Sequence, residues 1–313
     1  MEWPTACPAN GRAVFFVNLT ELEVMKKIAF LGPEGTHSHE ACLAYYRDGF
    51  EPYPCRTVRE LFWSLSPESP AGVEEAIVPV ENSTEGPVTQ TLDQLARSDW
   101  TTVVAQFSLP VHQALLGSPE APPLGRITVV YSHPQALAQC EAWLDANLDG
   151  AERVAMSSTA DAALRIREHR DAAAIAGVHA ARLYGLKILA ENIQDDPSNA
   201  TRFFVLRRVE PGWESRPPAP GEWRTLLHVI LANRPGALLE SLEPFRRHGI
   251  NLTFIQSRPL PGKPWEYGFF IEAAEHGATE RFRAVLEELK PVTDGVRLLG
   301  IYRNEQTALA SRV

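Results

Sequence analysis

The sequence predicts an α/β protein of two domains, a larger one of alternating strands and helices and a smaller ferredoxin-like one behind it. Three observations carry that expectation. A grammar of strand, glycine- or serine-rich turn and helix repeats from residue 28 to about residue 208. A proline-rich stretch follows at residues 211–221, and beyond it the elements run in the order βαββαβ. The length of 313 residues exceeds a single domain of roughly 100–200 residues, so more than one core is expected.

The first strand is the apolar run Ile28 to Leu31, ending in Gly32-Pro33-Glu34-Gly35-Thr36, after which Ala41, Ala44 and Tyr45 recur at helical spacing. The next, Ala76-Ile77-Val78-Pro79-Val80, leads through Glu81-Asn82-Ser83-Thr84-Glu85-Gly86-Pro87 to a helix carrying Val88, Leu92 and Leu95, with Pro87 suited to its first turn. Ile127 to Tyr131 precedes Ser132-His133-Pro134-Gln135, and Arg153 to Met156 precedes Ser157-Ser158-Thr159; each leads into an alanine-rich helix. Such alternation implies a sheet whose ligands sit beyond the carboxyl ends of the strands, at a topological switch point or between two lobes. Val205-Leu206 then gives way to the linker. Residues 25–208 are assigned to the first domain, 209–224 to the linker, 225–303 to the second domain and 304–313 to a tail. Residues 1–24 match no periodic pattern and are set aside as an N-terminal extension.

The second domain reads as strand Leu226–Leu231, helix Gly236–His248, strands Ile250–Gln256 and Tyr267–Ala273, helix Thr279–Leu289 and strand Val296–Tyr302. Leu238, Leu242 and Phe245 stack on one face of the first helix, Phe282, Val285 and Leu289 on one face of the second, and Leu227, Val229 and Leu231 alternate on the strand beneath. That is a split βαβ.

A hydrophobic content of 44% with 22% charged residues is that of a globular domain, and a net charge of -9 argues against a nucleic-acid partner, which needs clustered Lys and Arg. No apolar run reaches the roughly 18–20 residues of a membrane span, and no signal peptide is apparent. Cys7, Cys42, Cys55 and Cys140 form no CxxC pair, as expected of reduced thiols in a cytoplasmic protein. Neither a cofactor nor a metal is expected.

Several strand-to-helix junctions carry Thr, Ser or Asn, so backbone N–H groups and hydroxyls converge with the positive ends of helix dipoles. Thr36, Ser83, Ser132 and Thr159 each read singly as an N-cap worth about 1 kcal/mol. Their joint occurrence, without GxGxxG or GxxxxGK[ST], points instead to a small polyanionic organic substrate. Asn199-Ala200-Thr201-Arg202 opens another strand, with the Thr201 and Arg202 side chains on opposite faces. Arg202 offers a planar fork for a carboxylate, although a pairing with Asp195 or Asp196 is equally compatible.

Asn199-Ala200-Thr201-Arg202-Phe203 resembles the NxTRF signature of prephenate dehydratases. Gly32-Pro33-Glu34-Gly35-Thr36, Val80-Glu81-Asn82-Ser83 with Thr91-Leu92-Asp93, Ser132-His133-Pro134-Gln135-Ala136-Leu137 and Ser158-Thr159-Ala160 resemble further blocks of that family, in order. Gly236-Ala237-Leu238-Leu239 and Ile255-Gln256-Ser257-Arg258-Pro259 resemble the GAL and ESRP motifs of its ACT domain. The resemblance spans roughly residues 27–303. The family usually has an aromatic where His37 stands and Glu where Gln256 stands; His37 itself reads as a surface histidine at a helix start.

The resemblance implies a two-lobed, type II periplasmic-binding-protein-like catalytic domain followed by an ACT regulatory domain. It implies conversion of prephenate to phenylpyruvate in phenylalanine biosynthesis, with L-phenylalanine as allosteric effector and a homodimer or homotetramer. Thr201, Arg202 and Phe203 would be catalytic. Thr36, Ser38, Asn82, Ser83, Ser132, Gln135, Ser158, Thr159 and Asn199 would bind substrate, with Arg202 on the pyruvyl carboxylate. Gly236, Ala237, Leu238, Asn251, Leu252, Gln256, Ser257 and Arg258 would hold the effector. Arogenate dehydratase shares nearly every motif, and a non-catalytic solute-binding protein shares the two lobes. A fused chorismate mutase or prephenate dehydrogenase would need a further domain.

Overall fold

A computed structural model describes residues 25–47, 49–215 and 219–305. The segment read as an N-terminal extension lies outside the described residues. The first lobe is built from β1 (Lys26–Leu31), α1 (His37–Tyr46), β2 (Phe50–Cys55), α2 (Val58–Ser64), β3 (Glu75–Asn82), β4 (Gly86–Pro87), α3 (Thr89–Arg97) and β5 (Thr101–Pro110). The chain crosses to a second lobe of β6 (Ala114–Gly117), β7 (Val129–Ser132), α4 (Pro134–Ala138), α5 (Glu141–Leu148), β8 (Glu152–Ala155), α6 (Thr159–Arg165), β9 (Ala172–Ala176), α7 (Val178–Tyr184) and β10 (Lys187–Ala190). It returns to the first lobe as β11 (Ala200–Arg208).

The C-terminal domain comprises β12 (Trp223–Ile230), α8 (Ala237–Arg247), β13 (Leu252–Pro259), β14 (Tyr267–Ala273), α9 (Glu280–Leu289) and β15 (Gly295–Asn304), the expected βαββαβ order. Its sheet does not stand apart. β15 pairs in parallel with β5, giving one continuous sheet in the order β13-β14-β12-β15-β5-β11-β3-β1-β2, while the second lobe has its own sheet, β10-β6-β9-β7-β8.

Side-chain alternation along β11 explains how that continuity is held. Phe203 and Val205 enter one core of the first lobe with Phe30, Ile77 and Phe107. Phe204 and Leu206 enter another, shared with Leu226, Phe254, Phe270, Leu299 and Tyr302 of the C-terminal domain. Behind it, Leu227, Val229 and Leu231 pack on Phe245, Phe282, Val285 and Leu289, as the alternation predicts. Two local expectations fail. Leu238 is turned outward, because Ala237, Ser241, Pro244 and Phe245 form the buried face of α8. Pro87 does not open a helix; it pairs opposite Glu81 in the short β4, and α3 starts two residues later.

Candidate active site

A cavity of about 330 Å³ lies between the lobes, where the chain crosses from one sheet to the other. The first lobe contributes Leu31, Gly32, Thr36, His37, Ser38, Pro79, Asn82, Val88, Thr201 and Phe203 to its wall. The second contributes His133, Gln135, Ala136, Gln139, Ser157, Ser158 and Thr159, with Val111 and Gln113 on the crossing segment. Of the expected substrate-binding residues, Thr36, Ser38, Asn82, Gln135, Ser158 and Thr159 are therefore brought together, with Thr201 and Phe203. Among the described residues lining the cavity there is no Lys or Arg.

Thr201 is held by an amide whose orientation is fixed. Asn82 sits opposite it in the β3–β11 ladder, and its Oδ1 accepts from the backbone N–H groups of Thr84 (3.1 Å) and Glu85 (3.2 Å) and from the Thr84 hydroxyl (2.7 Å). Two backbone donors make that atom the oxygen, so Nδ2 is the group that donates to Thr201 Oγ1 at 3.0 Å and to Asn199 Oδ1 at 2.9 Å. With Oγ1 already accepting, the Thr201 hydroxyl proton is free to donate into the cavity. Phe203, two residues on and on the same face, stacks on Phe107 with centroids 5.6 Å apart and adds an apolar wall.

Four expected contacts fall elsewhere. Ser83 accepts from Ala200 N–H (3.0 Å) and bonds Asn199 Oδ1 (3.4 Å), so it ties the β3 turn to β11 outside the cavity wall. Asn199, almost wholly buried, stands behind Asn82 as its acceptor. Ser132 is fully buried and donates to Ile175 O at 2.7 Å, which locks β7 to β9. Arg202 points away from the cavity, toward Glu272 of the C-terminal domain, with Nη2 3.1 Å from Oε2; neither the pyruvyl-carboxylate grip nor a pairing with Asp195 or Asp196 is made. Thr36 and Ser158 do line the cavity, but as caps: Thr36 accepts from His39 N–H and shares its one proton between Leu31 O and Pro33 O, and Ser158 accepts from Asp161 N–H.

Sequence reasoning missed Gln113 and Gln139, whose only local mark is polarity. Gln139 Nε2 donates to Glu85 Oε1 across the cleft at 3.2 Å, while its Oε1 accepts from Gln113 Nε2 at 3.4 Å. His37 was expected at the surface; instead its ring is part of the cavity wall. Its Nδ1 donates to Glu40 Oε2 at 3.2 Å, and its Nε2 is shielded from solvent without a partner among the described residues. Burial opposes ionisation of Glu40, yet the His37 hydrogen bond and the nearby His179 and His112 hold its carboxyl below the usual carboxylate range. Behind it His39 stacks on Phe30, and burial, with His179 beside it, lowers its pKa to about 4.

A larger cavity of about 490 Å³ lies between the first lobe and the C-terminal domain, beside Tyr45, Tyr46, Trp213 and Trp223. Its buried carboxylate, Glu75, is satisfied by Tyr46, Lys26 and Arg207.

In the C-terminal domain the expected effector residues lie on two neighbouring stretches. Gly236 caps α8 with φ of 84°, a left-handed conformation suited to glycine, ahead of Ala237 and Leu238. Leu252, Gln256 and Ser257 run along the edge strand β13, with Asn251 just ahead of it. Arg258 is committed elsewhere: it forks onto Asp93 of α3 at 2.8 and 2.7 Å, joining the two domains.

Comparison with known proteins gives two family matches, prephenate dehydratase over residues 28–211 and the ACT domain over residues 225–292. The bifunctional chorismate mutase/prephenate dehydratase of Stutzerimonas stutzeri is 42% identical over 281 residues, covering 90% of this chain and 74% of that protein. The solved prephenate dehydratase of Arthrobacter aurescens in complex with L-Phe superposes with a TM-score of 0.80 at 33% identity, over 89% of this chain and 90% of that one. A structure described as GqqA, a novel type of quorum quenching acylase, superposes equally well at 30% identity, over 89% and 98% of the two chains.

Proposed function

The chain belongs to the prephenate dehydratase family, and from that premise we propose that its cleft converts prephenate to phenylpyruvate, as a lyase that is feedback-regulated by phenylalanine. The observation that carries the reading is the Asn82–Thr201 hydrogen bond, which leaves one oriented O–H donor in a cavity whose wall, besides His37 and His133, consists of apolar and uncharged polar groups.

In this reaction the ring carboxylate leaves as carbon dioxide, its C–C bonding electrons enter the ring, and the C–O bond opposite breaks with its electrons on oxygen, which takes one proton from solvent and departs as water. Aromatisation supplies the drive. An alcohol is a weak acid, so the Thr201 hydroxyl serves by hydrogen-bonding the departing oxygen as charge develops on it, which is electrostatic stabilisation by a prepositioned donor. The absence of Lys and Arg from the described wall suits the other end of the substrate. A cation there would stabilise the very carboxylate that must be lost.

The pyruvyl carboxylate falls to neutral donors instead: Ser38, the backbone at the start of α1, and Thr159. Pro79, Val88, Val111 and Phe203 suit the ring, and the Gln139–Glu85 bond suits the two lobes closing over it. The acyl chemistry named for GqqA would need a nucleophile paired with a base. Thr36, Ser157, Ser158 and Thr201 make their hydrogen bonds to carbonyls, Asp161 and Asn82 rather than to a histidine.

Phenylalanine would bind along Gly236–Leu238 and Asn251–Ser257. A homodimer or homotetramer is supported by the position of β13 at the sheet edge and by exposed Leu239, Ile255 and Trp265 nearby, surfaces that a second copy would cover. A cytoplasmic location fits the unpaired, buried Cys42, Cys55 and Cys140. The deciding experiment follows phenylpyruvate formed from prephenate, and from arogenate in parallel, by the wild type, Thr201→Ser and Thr201→Ala. Turnover of prephenate that survives in Thr201→Ser and falls at least about a hundredfold in Thr201→Ala is expected; normal turnover by the alanine variant removes the hydroxyl from the mechanism.

A further inference from the structure

Arg202 shares a peptide bond with Thr201 but faces the other side of β11, so the signature residue nearest the cleft hydroxyl answers to the C-terminal domain. Its guanidinium lies between the rings of Phe204 (5.5 Å) and Phe254 (5.1 Å) and meets Glu272 with Nη2 3.1 Å from Oε2 and Nη1 3.5 Å from Oε1. The Glu272 side chain is 0% exposed. It also accepts from the Tyr302 hydroxyl on β15 and the Thr253 hydroxyl on β13. A fully buried carboxylate needs a cation and hydrogen bonds to persist, and Arg202 is the cation it meets among the described residues. The position of Arg202 is therefore set chiefly from β13, β14 and β15, with Glu81 of β3 a more distant second carboxylate, 3.9 Å from Nη1.

The ladder beside both residues is irregular on the β3 side, where Val80 is the extra residue, while β11 pairs with β5 without a break from Ala200 to Val205. In the β3–β11 ladder Thr201 lies opposite Asn82 and Arg202 opposite Glu81, but Phe203 lies opposite Pro79, so the register slips between Arg202 and Phe203. A bulge loosens the ladder and re-aims the side chains next to it. The aim of Thr201 is then set from two sides, by Asn82 in front and by the anchoring of Arg202 behind.

We propose that Arg202 is a positioning residue, whose ion pair with Glu272 holds the Thr201 hydroxyl in its working direction, so that the C-terminal domain completes the active site from behind. Thr253 and Phe254, both in contact with this pair, sit on β13 beside Gln256 and Ser257. On the reading that phenylalanine binds there, a displacement of β13 reaches Thr201 through Glu272 and Arg202 without touching the cleft.

The test is steady-state kinetics with prephenate on the full-length Glu272→Gln, Arg202→Lys and double variants, with folding checked by circular dichroism and thermal melting. Glutamine keeps the volume but removes the charge and turns one of two acceptor oxygens, each taking one hydroxyl and one Arg202 N–H, into a donor. Misplacing a reacting group by about 1 Å costs up to about a hundredfold, so kcat is expected to fall roughly 10- to 100-fold, with KM within about threefold of the wild type. The double variant should be no worse than about threefold below the poorer single one, because both break the same pair.

A folded Glu272→Gln variant with kcat within twofold of the wild type overturns the proposal, as do deficits that multiply in the double variant. Should Glu272→Gln fail to fold, Arg202→Lys, which keeps the positive charge and loses the fork onto Glu272, carries the test alone: a kcat loss of about fivefold or more at constant KM supports the proposal, and unchanged kcat refutes it. Phenylalanine titrations of the same proteins separate the two readings. A wild type that neither binds phenylalanine nor is inhibited by it removes the effector reading while leaving the kcat test intact. Undiminished inhibition of a folded Glu272→Gln variant removes the relay.

Discussion

Asn82→Asp tests how the cleft hydroxyl is oriented, because it changes one atom in a buried and fully bonded amide. Oδ1 keeps its three donors, from Thr84 N–H, the Thr84 hydroxyl and Glu85 N–H, so the new oxygen must occupy the place of Nδ2. There it faces Thr201 Oγ1, 3.0 Å away in the wild type, and Asn199 Oδ1, 2.9 Å away. A carboxylate oxygen only accepts, so the Thr201 proton turns toward it and leaves the cavity, while Asn199 must flip its amide or oppose oxygen to oxygen. Losing one prepositioned donor costs about 10²–10³ in kcat in comparable sites. The two disrupted buried bonds cost about 1–3 kcal/mol each in stability.

The assay is the initial rate of phenylpyruvate formation across pH, with thermal melting in parallel. Protonating the introduced carboxyl restores a donor to Thr201, so activity relative to the wild type should recover as the pH is lowered. A folded variant with kcat within threefold of the wild type and an unchanged pH profile refutes the claim that Asn82 orients the hydroxyl.

Replacing His37 with phenylalanine removes the Nδ1 bond that ties the cleft wall to Glu40; KM for prephenate should rise up to about tenfold with kcat nearly unchanged, the worth of one hydrogen bond, and an unaltered KM would return His37 to a purely structural part. Arg258→Ala breaks a partly exposed pair with Asp93, so chemical denaturation should show a loss of about 1 kcal/mol or less; a loss above 3 kcal/mol would mean that this pair, rather than the shared core, holds the domains together. Gln256→Glu restores the charge of the effector motif and should tighten phenylalanine binding several-fold by calorimetry. Burial lowers the pKa of His39 and of His228 to about 4, the first beside His179 and the second beside Arg297. Both are neutral when folded and take up a proton near pH 6.5 when unfolded, so their stability contribution is present above pH 6.5 and is lost as the pH falls toward 4. Between pH 7.5 and pH 5 each should cost about 2 kcal/mol in urea titrations, a loss that a leucine in place of either histidine removes.

Much of this arrangement was legible because local chemistry decided it. Strand, turn and helix in the first domain follow from apolar runs punctuated by Gly, Ser and Pro, and the βαββαβ order follows from two periodicities. The cleft residues at strand ends were found for the same reason. What the sequence could not show was which partner a polar group meets across the fold. Ser132 reads as a helix-start donor, but β9, some forty residues on, offers it the carbonyl of Ile175. Alternation put Thr201 and Arg202 on opposite faces, which already forbade both from facing one cavity. Only the C-terminal domain, with Glu272 seventy residues away, reveals what the second face is for. Gln139 and Gln113 carry no local signal beyond their polarity, since their value comes from the crossing geometry between lobes.

The division of labour along β11 has a chemical reason. The chain as a whole carries a net charge of -9, and its cleft accepts a dianion without a Lys or Arg among the described residues of its wall. A cation in that wall would bind the ground state well, but the reaction discards one of the two carboxylates, and binding that is lost on the way to the transition state slows the step it precedes. Donors aimed at the departing oxygen act only as charge appears there. An arginine in the signature is thus best kept out of the cavity, where its fixed charge and rigid fork can anchor the strand against Glu272 instead. The same separation makes the site adjustable, because a shift of the anchor alters the aim of Thr201 without placing any charge near the substrate.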